Sequence, residues 1–162
     1  MQEHQERLDF FSIAPELSAK LVQLTVGLNT SSIDRNLIDL VNIRTSQMNG
    51  CAFCVDMHSK EAKIHGEREL RLYHITVWRE SPLFSARERA VLEWTENVTK
   101  LSSHGVPEAI YQQVREQLSE KEITDLTFAI ATINVWNRLA ISFRKVPGSA
   151  DAFYGLTKAG LS

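Results

Sequence analysis

The sequence predicts an all-α domain of about seven helices, on three observations. Apolar residues recur at three- and four-residue spacing in one segment after another. Serine followed three residues later by an acid, the pattern of a capped helix start, occurs at Ser31/Asp34, Ser85/Glu88 and Ser119/Glu122. No segment shows the sustained two-residue alternation of a half-buried strand. The 162 residues are enough for one domain over 1–162, and 43% hydrophobic with 23% charged residues is an ordinary globular composition.

Residues up to Ser12 read as a loose lead-in, with Phe10 and Phe11 docking on the body of the domain. Pro15 and Glu16 suit a first helical turn, and Leu17, Leu21, Leu24 and Leu28 repeat behind them. Gly27 and the polar run Asn29–Ser32 break that helix. A second helix is expected from Ser31 or Ser32, with Ile33, Leu37, Leu40, Val41, Arg44 and Met48 near one face and Asp39 close by. Asn49-Gly50 ends it, and a third helix follows at once and stops at Gly66. Glu67 to Trp78 reads as a fourth helix with Leu70, Tyr73, Ile75 and Trp78 as core candidates, and Ser81-Pro82 closes it. The fifth runs from Ser85 to about Leu101 through Val91 and Trp94. A sixth opens at Pro107 with Ile110 and Val114 inside. The seventh, from Ser119 through Ile130, Ile133, Trp136 and Phe143, is apolar enough all round to expect burial on several sides, and Pro147-Gly148 ends it. The tail from Ser149 has no readable pattern.

A formal net charge of −2 gives no reason to expect nucleic acid or an anionic membrane. The apolar stretch Leu21–Leu28 is interrupted by Gln23, Thr25 and Gly27 and is far short of a membrane span. The N-terminus is polar and carries acids, unlike a signal peptide, so a cytoplasmic setting is the default. Two cysteines in such a setting point to catalysis or metal rather than a structural staple.

Both cysteines lie in Asn49-Gly50-Cys51-Ala52-Phe53-Cys54-Val55-Asp56-Met57-His58. On a helix starting near Cys51, the two thiols and His58 share one stripe. Thiols in a first turn feel unpaired N–H groups and the positive end of the helix, which favours thiolate. Three readings stay open from spacing. The pair is a redox dithiol, with His58 taking a proton from Cys54 or stabilising its thiolate. Alternatively Cys51, Cys54 and His58 hold zinc, with Asp39 or another histidine as fourth ligand, although a second Cys-x-x-Cys is missing. The last is two small buried residues beside a surface histidine. Asp39 faces the dithiol helix if the Asn-Gly turn folds the two helices back as a hairpin, and could then orient His58 or relay a proton. His65 lies on a similar face to His58 but about 10 Å further along the axis. His74 and His104 read as surface or satisfied core groups. Arg44 and Arg138, in apolar helices, read as ion-paired or snorkelling residues.

The run from Leu37 to Gly66 strongly resembles the alkylhydroperoxidase D-like (AhpD-like) core of the carboxymuconolactone decarboxylase superfamily. Trp78-Arg79-Glu80-Ser81-Pro82-Leu83-Phe84-Ser85, Trp94-Thr95-Glu96 and Asn134-Val135-Trp136-Asn137-Arg138 are similar to one branch of it, so the resemblance covers residues 33–143. It implies an all-α fold, assembly into trimers or hexamers, and a hydroperoxide reductase that needs no cofactor beyond its dithiol. Cys54 would attack the peroxide and become a sulfenic acid, and Cys51 would resolve it to a disulfide. An external thiol reductant, a protein or a lipoyl-type dithiol, would restore it. The family's histidine falls on His58 and its upstream glutamate on the shorter Asp39. Phe53 stands where AhpD proteins carry a histidine between the cysteines. The decarboxylase members lack the dithiol, which disfavours decarboxylation. An oligomeric redox sensor that uses the same pair as a switch is the non-catalytic alternative.

Overall fold

The computed structural model describes residues 5–161. The polar stretch before Gln5, part of the signal-peptide reading, lies outside the described residues. In chain order the elements are α1 (Phe10–Ile13), α2 (Pro15–Gly27), α3 (Arg35–Asn49), α4 (Ala52–Ile64), α5 (Glu69–His74), α6 (Ala86–Thr99), α7 (Glu108–Arg115), α8 (Glu120–Phe143) and α9 (Asp151–Tyr154). Short 3₁₀ turns cover Leu28–Thr30, Ile75–Val77 and Leu156–Ala159. Among the described residues no strand forms; Ser102 and Gly105 make only an isolated bridge. The all-α fold class is as the sequence predicts.

α3 is the central element, packed against α4, α6 and α8. Leu40, Val41 and Ile43 from α3, Val91 and Leu92 from α6, and Leu126 and Ile130 from α8 are buried together in one cluster. Each such side chain contributes about 1.5–3 kcal/mol by leaving water. Arg44, in this apolar helix, meets Glu96 at 2.7 Å, and Glu96 also accepts from Trp78 Nε1 at 2.8 Å. One carboxylate thus ties α3, α6 and the loop after α5 together.

The helix starts at Ser85 and Ser119 are reciprocal capping boxes, as their spacing predicts. Glu122 is held at about 2, well below 4.5, first by the Ser119 N–H and then by Arg87. Its carboxylate therefore stabilises the fold fully above pH 4.5, and that contribution is lost as pH falls from about 4.5 towards 2. Ser119→Ala is expected to cost about 1 kcal/mol at pH 7 in urea unfolding, with a smaller difference at about pH 3.

Several expectations are corrected. The Ser31/Asp34 box does not form: α3 starts at Arg35, Asp34 makes no side-chain cap, and the Ser31 hydroxyl accepts from Ile33 N–H instead. The neighbouring Ser32 is drawn away by Asp125 on α8, which accepts from both its N–H and its hydroxyl. The lead-in contains α1, capped by Asp9; Phe10 is buried and Phe11, although exposed, stacks on Trp136, so both dock as expected. The fourth helix is shorter than predicted and tightens into a 3₁₀ turn at Ile75. Leu72, Ile75 and Trp78 enter the core, whereas Leu70 and Tyr73 are exposed. α8 is not buried all round, since Phe128, Val135 and Ile141 face outward. It is long and apolar enough by length and composition to cross a membrane, yet its Leu126, Ile130 and Ile133 stripe packs into the core.

The patternless tail is built on charge. Lys60 on α4 donates to Asp56 at 2.9 Å and to Asp151 at 2.7 Å, and Asp56 accepts from Gly148 N–H at 3.0 Å. Leu156 and Ala159 then bury against α4.

Candidate active site

Gly50 adopts a left-handed backbone, φ 72°, where a side chain is disfavoured, and so lets α3 stop and α4 begin within two residues. Cys51 caps α4, its sulfur accepting from Cys54 N–H at 3.3 Å. Cys51 N–H in turn donates to Ser46 C=O at 3.0 Å. The two cysteines are joined as a disulfide, and both are almost fully buried, 1% and 3% exposed. Ala140 of α8 packs on them.

Asparagines from α8 pin this turn. Asn49 donates to Asn134 and Asn137 carboxamide oxygens, each at 2.9 Å, and buried Asn137 donates to Ser46 Oγ at 3.0 Å. This gives a physical role to the Asn134–Arg138 run singled out in the sequence.

Cys54 lines a cavity of about 320 Å³, and Cys51 is not among its lining residues. His58, one turn beyond Cys54, lines the same cavity with Phe53, Met57 and Glu61. His58 Nδ1 pairs with Glu61 at 2.7 Å. With the proton on Nδ1 this leaves Nε2 as the available base. Burial raises the Glu61 carboxyl, but the His58 hydrogen bond and the His58 and Arg35 charges outweigh it and hold the group below its ordinary value.

Asp39 is buried and bonds His65 Nδ1 at 2.7 Å, with Arg35 one turn before it on α3 at 3.7 Å. Burial raises the Asp39 carboxyl above its ordinary value; His65 and Arg35 offset this only in part, and the charge on Glu61 adds to the rise. The carboxylate on His58 is thus Glu61, and Asp39 orients His65 rather than His58. The reason is the register of the hairpin. Asp39 stands eleven residues before Gly50, so in an antiparallel pair it faces the far end of α4, where Glu61 and His65 lie, and not the first turns, where His58 lies. Counting outward from Gly50 places Asp39 opposite the end of α4, and three-residue spacing on α4 pairs Glu61 with His58. Among the described residues no three His, Cys, Asp or Glu side chains converge to hold a metal ion, so the zinc reading gains no geometry.

The sequence profile of the carboxymuconolactone decarboxylase family matches residues 15–97. The chain belongs to this family. YdfG of Bacillus subtilis, an uncharacterized protein, is 41% identical over 85% of this chain and 93% of its own length. The crystal structure of Atu0492 from Agrobacterium tumefaciens, a protein of unknown function proposed to be an antioxidant-defence AhpD, is 38% identical. It superimposes with a TM-score of 0.85 over 88% of this chain and 98% of its own. The debrominase Bmp8, in a cysteine-to-alanine variant bound to 2,3,4-tribromopyrrole, shares the fold at a TM-score of 0.78 and 16% identity over 92% of this chain and 79% of its own. The family's AhpD-like branch is therefore the setting in which the disulfide, the cavity and the two histidine–carboxylate pairs are read.

Proposed function

We propose that the chain is a thiol-dependent hydroperoxide reductase. The observation that carries this is the asymmetry of the dithiol: Cys54 opens onto a cavity that His58 also lines, and Cys51 sits behind it at the helix cap. In the reduced protein, first-turn N–H groups favour the Cys54 thiolate and His58 takes its proton. The thiolate attacks the terminal oxygen of ROOH and the O–O bond breaks. The leaving alkoxide takes the proton from His58 and departs as ROH, and Cys54 keeps the OH as a sulfenic acid. Cys51 then attacks the Cys54 sulfur, expelling water and forming the disulfide. An external dithiol, protein-borne or lipoyl-type, returns two electrons and two protons by exchange. Glu61 is a positioning residue that fixes the His58 ring and tautomer. Phe53 supplies cavity wall where AhpD proteins have a histidine.

One equivalent of cumene hydroperoxide added to the pre-reduced protein should consume two thiols per chain and release one equivalent of alcohol, with dithiothreitol sustaining turnover. An unchanged thiol count overturns the reading. Stoichiometric oxidation with no turnover under any dithiol would favour the redox sensor instead. A second reading, reductive dehalogenation of a haloarene, draws on the same two-electron dithiol, on the apolar cavity and on the fold shared with Bmp8; release of halide from a bromopyrrole would support it.

A further inference from the structure

The cavity beside Cys54 is two-sided. Its guanidinium, imidazole and carboxylate groups are gathered on α3 and α4, Arg35, His58 and Glu61, beside Asn42. Of the polar groups elsewhere in the lining, Thr25, Asn29, Thr132 and Lys145 are bonded within the chain. The facing walls, from α1, α2 and α8, are largely apolar: Phe11, Val22, Val26, Ile133 and Trp136, with the Thr25 and Thr132 hydroxyls turned to backbone carbonyls of their own helices. Phe11 and Trp136 stack with ring centroids 5.8 Å apart and 27° between planes. Trp136 Nε1 donates to Thr25 Oγ1 at 2.9 Å, so its polar edge is already satisfied. The cations at the rim are engaged within the chain as well: Arg35 bonds Asn29 and approaches Asp39 at 3.7 Å, and Lys145 bonds Glu6 at 2.8 Å. At about 320 Å³ the space lies at the small end of ligand pockets, with room for one ring or a short branched chain.

We propose that this cavity holds the organic body of the substrate, and that the body is uncharged, apolar and about one aromatic ring in size, with its hydroperoxide end at Cys54. The proposal rests on the peroxide-reductase reading and narrows its substrate class. Cys54 takes the terminal oxygen as before, and the alkoxide leaves along the apolar wall as the neutral alcohol. Hydrogen peroxide meets only the polar side and gains nothing from the opposite wall, whereas an aryl body is driven there by leaving water. A carboxylated body would lose its hydration against rim cations that already have partners.

The test compares kcat/KM of the full chain, with dithiothreitol, for cumene hydroperoxide, tert-butyl hydroperoxide and hydrogen peroxide. The expected order is cumene, then tert-butyl, then hydrogen peroxide, with about 100-fold between the ends, the scale of apolar discrimination in a hydrophobic pocket. Val22→Trp, at an exposed wall position, fills the space from α2 and should cut the cumene-to-hydrogen-peroxide ratio about tenfold. Independently of turnover, calorimetry should show the unreactive alcohol 2-phenyl-2-propanol binding the oxidised wild type and binding Val22→Trp about tenfold more weakly. Equal kcat/KM for the three peroxides, or a ratio unmoved by Val22→Trp, overturns the pocket proposal and leaves the reductase reading standing. No turnover of any peroxide with the alcohol still bound overturns the reductase reading alone. Failure of the alcohol to bind overturns the pocket proposal whatever the turnover.

Discussion

Cys54→Ser should abolish peroxide turnover, while Cys51→Ser should keep the first chemical step and lose the second. The two cysteines sit one turn apart with Cα atoms 5.3 Å apart, so spacing alone does not rank them. What ranks them is access. Cys54 forms part of the cavity wall and Cys51 does not. Cys54 also shares that wall with His58, whose Nδ1 is occupied by Glu61 at 2.7 Å and whose other ring nitrogen is left for the thiol proton. Serine at Cys54 is a poor nucleophile at neutral pH, and the loss should be on the order of 10⁴–10⁶-fold, the scale of removing a covalent nucleophile. Serine at Cys51 leaves the attacking thiol in place. The sulfenic acid then has no resolving partner, so the first turnover should run at the wild-type rate and stop. Stopped-flow peroxide consumption separates the two variants, and dimedone labelling followed by mass spectrometry places the trapped sulfenic acid. A dimedone adduct on Cys51 in the Cys54→Ser protein, with turnover retained, would reverse the assignment.

What the sequence disclosed and what it concealed divides by range. The caps at Ser85 and Ser119, the stop at Gly50 and the start of α4 are contests among groups a few residues apart, and the residues there settle them. Ser31 carries a similar pattern, with the shorter Asp34 in place of glutamate, and fails: its hydroxyl accepts from Ile33 N–H, and Asp125, on another helix, accepts from the neighbouring Ser32 N–H at 2.8 Å. The dithiol and His58 lie on one helix and are readable as a unit. Their supporting partners are not so readable. Glu61 is one of two acids on α4, and Asp39 and His65 meet only because two helices run antiparallel from one turn. Asn137 and Ser46, fully buried and bonded at 3.0 Å, are separated by 91 positions. Nothing in the local pattern around an asparagine in an apolar helix announces such a partner. Trp136, spaced like a core residue, packs against the core and also forms a wall of the cavity.

Lys60→Met should release the C-terminal segment from α4 at a cost of about 3 kcal/mol, and it should do so locally rather than by unfolding the core. The Lys60 side chain is only 8% exposed and lies between two carboxylates, Asp56 at 2.9 Å and Asp151 at 2.7 Å. Burial works against the ammonium, yet its hydrogen bonds to Asp151 and Asp56 prevail and keep its proton held more tightly than in an ordinary lysine. Methionine matches the length and apolar stem but removes the charge. Asp56 and Asp151 are then left near each other without a cation, and Asp151 Oδ1 already lacks a hydrogen-bond partner. The cheapest relief is for the tail to leave, because α3, α6 and α8 bury their core side chains without it. Hydrogen exchange should therefore accelerate from residue 148 to residue 160 while α3 and α8 keep their protection. Ala150 and Tyr154 form part of the cavity wall, so the same variant should lose cumene hydroperoxide selectivity even though it keeps every residue assigned to the thiol chemistry. Replacing all three charges together, Asp56→Asn, Lys60→Met and Asp151→Asn, should recover most of the lost stability, because no buried charge is then left unpaired. Unchanged exchange in the tail of Lys60→Met would show that the apolar contacts of Leu156 and Ala159 hold the segment, and that the ionic clasp does not.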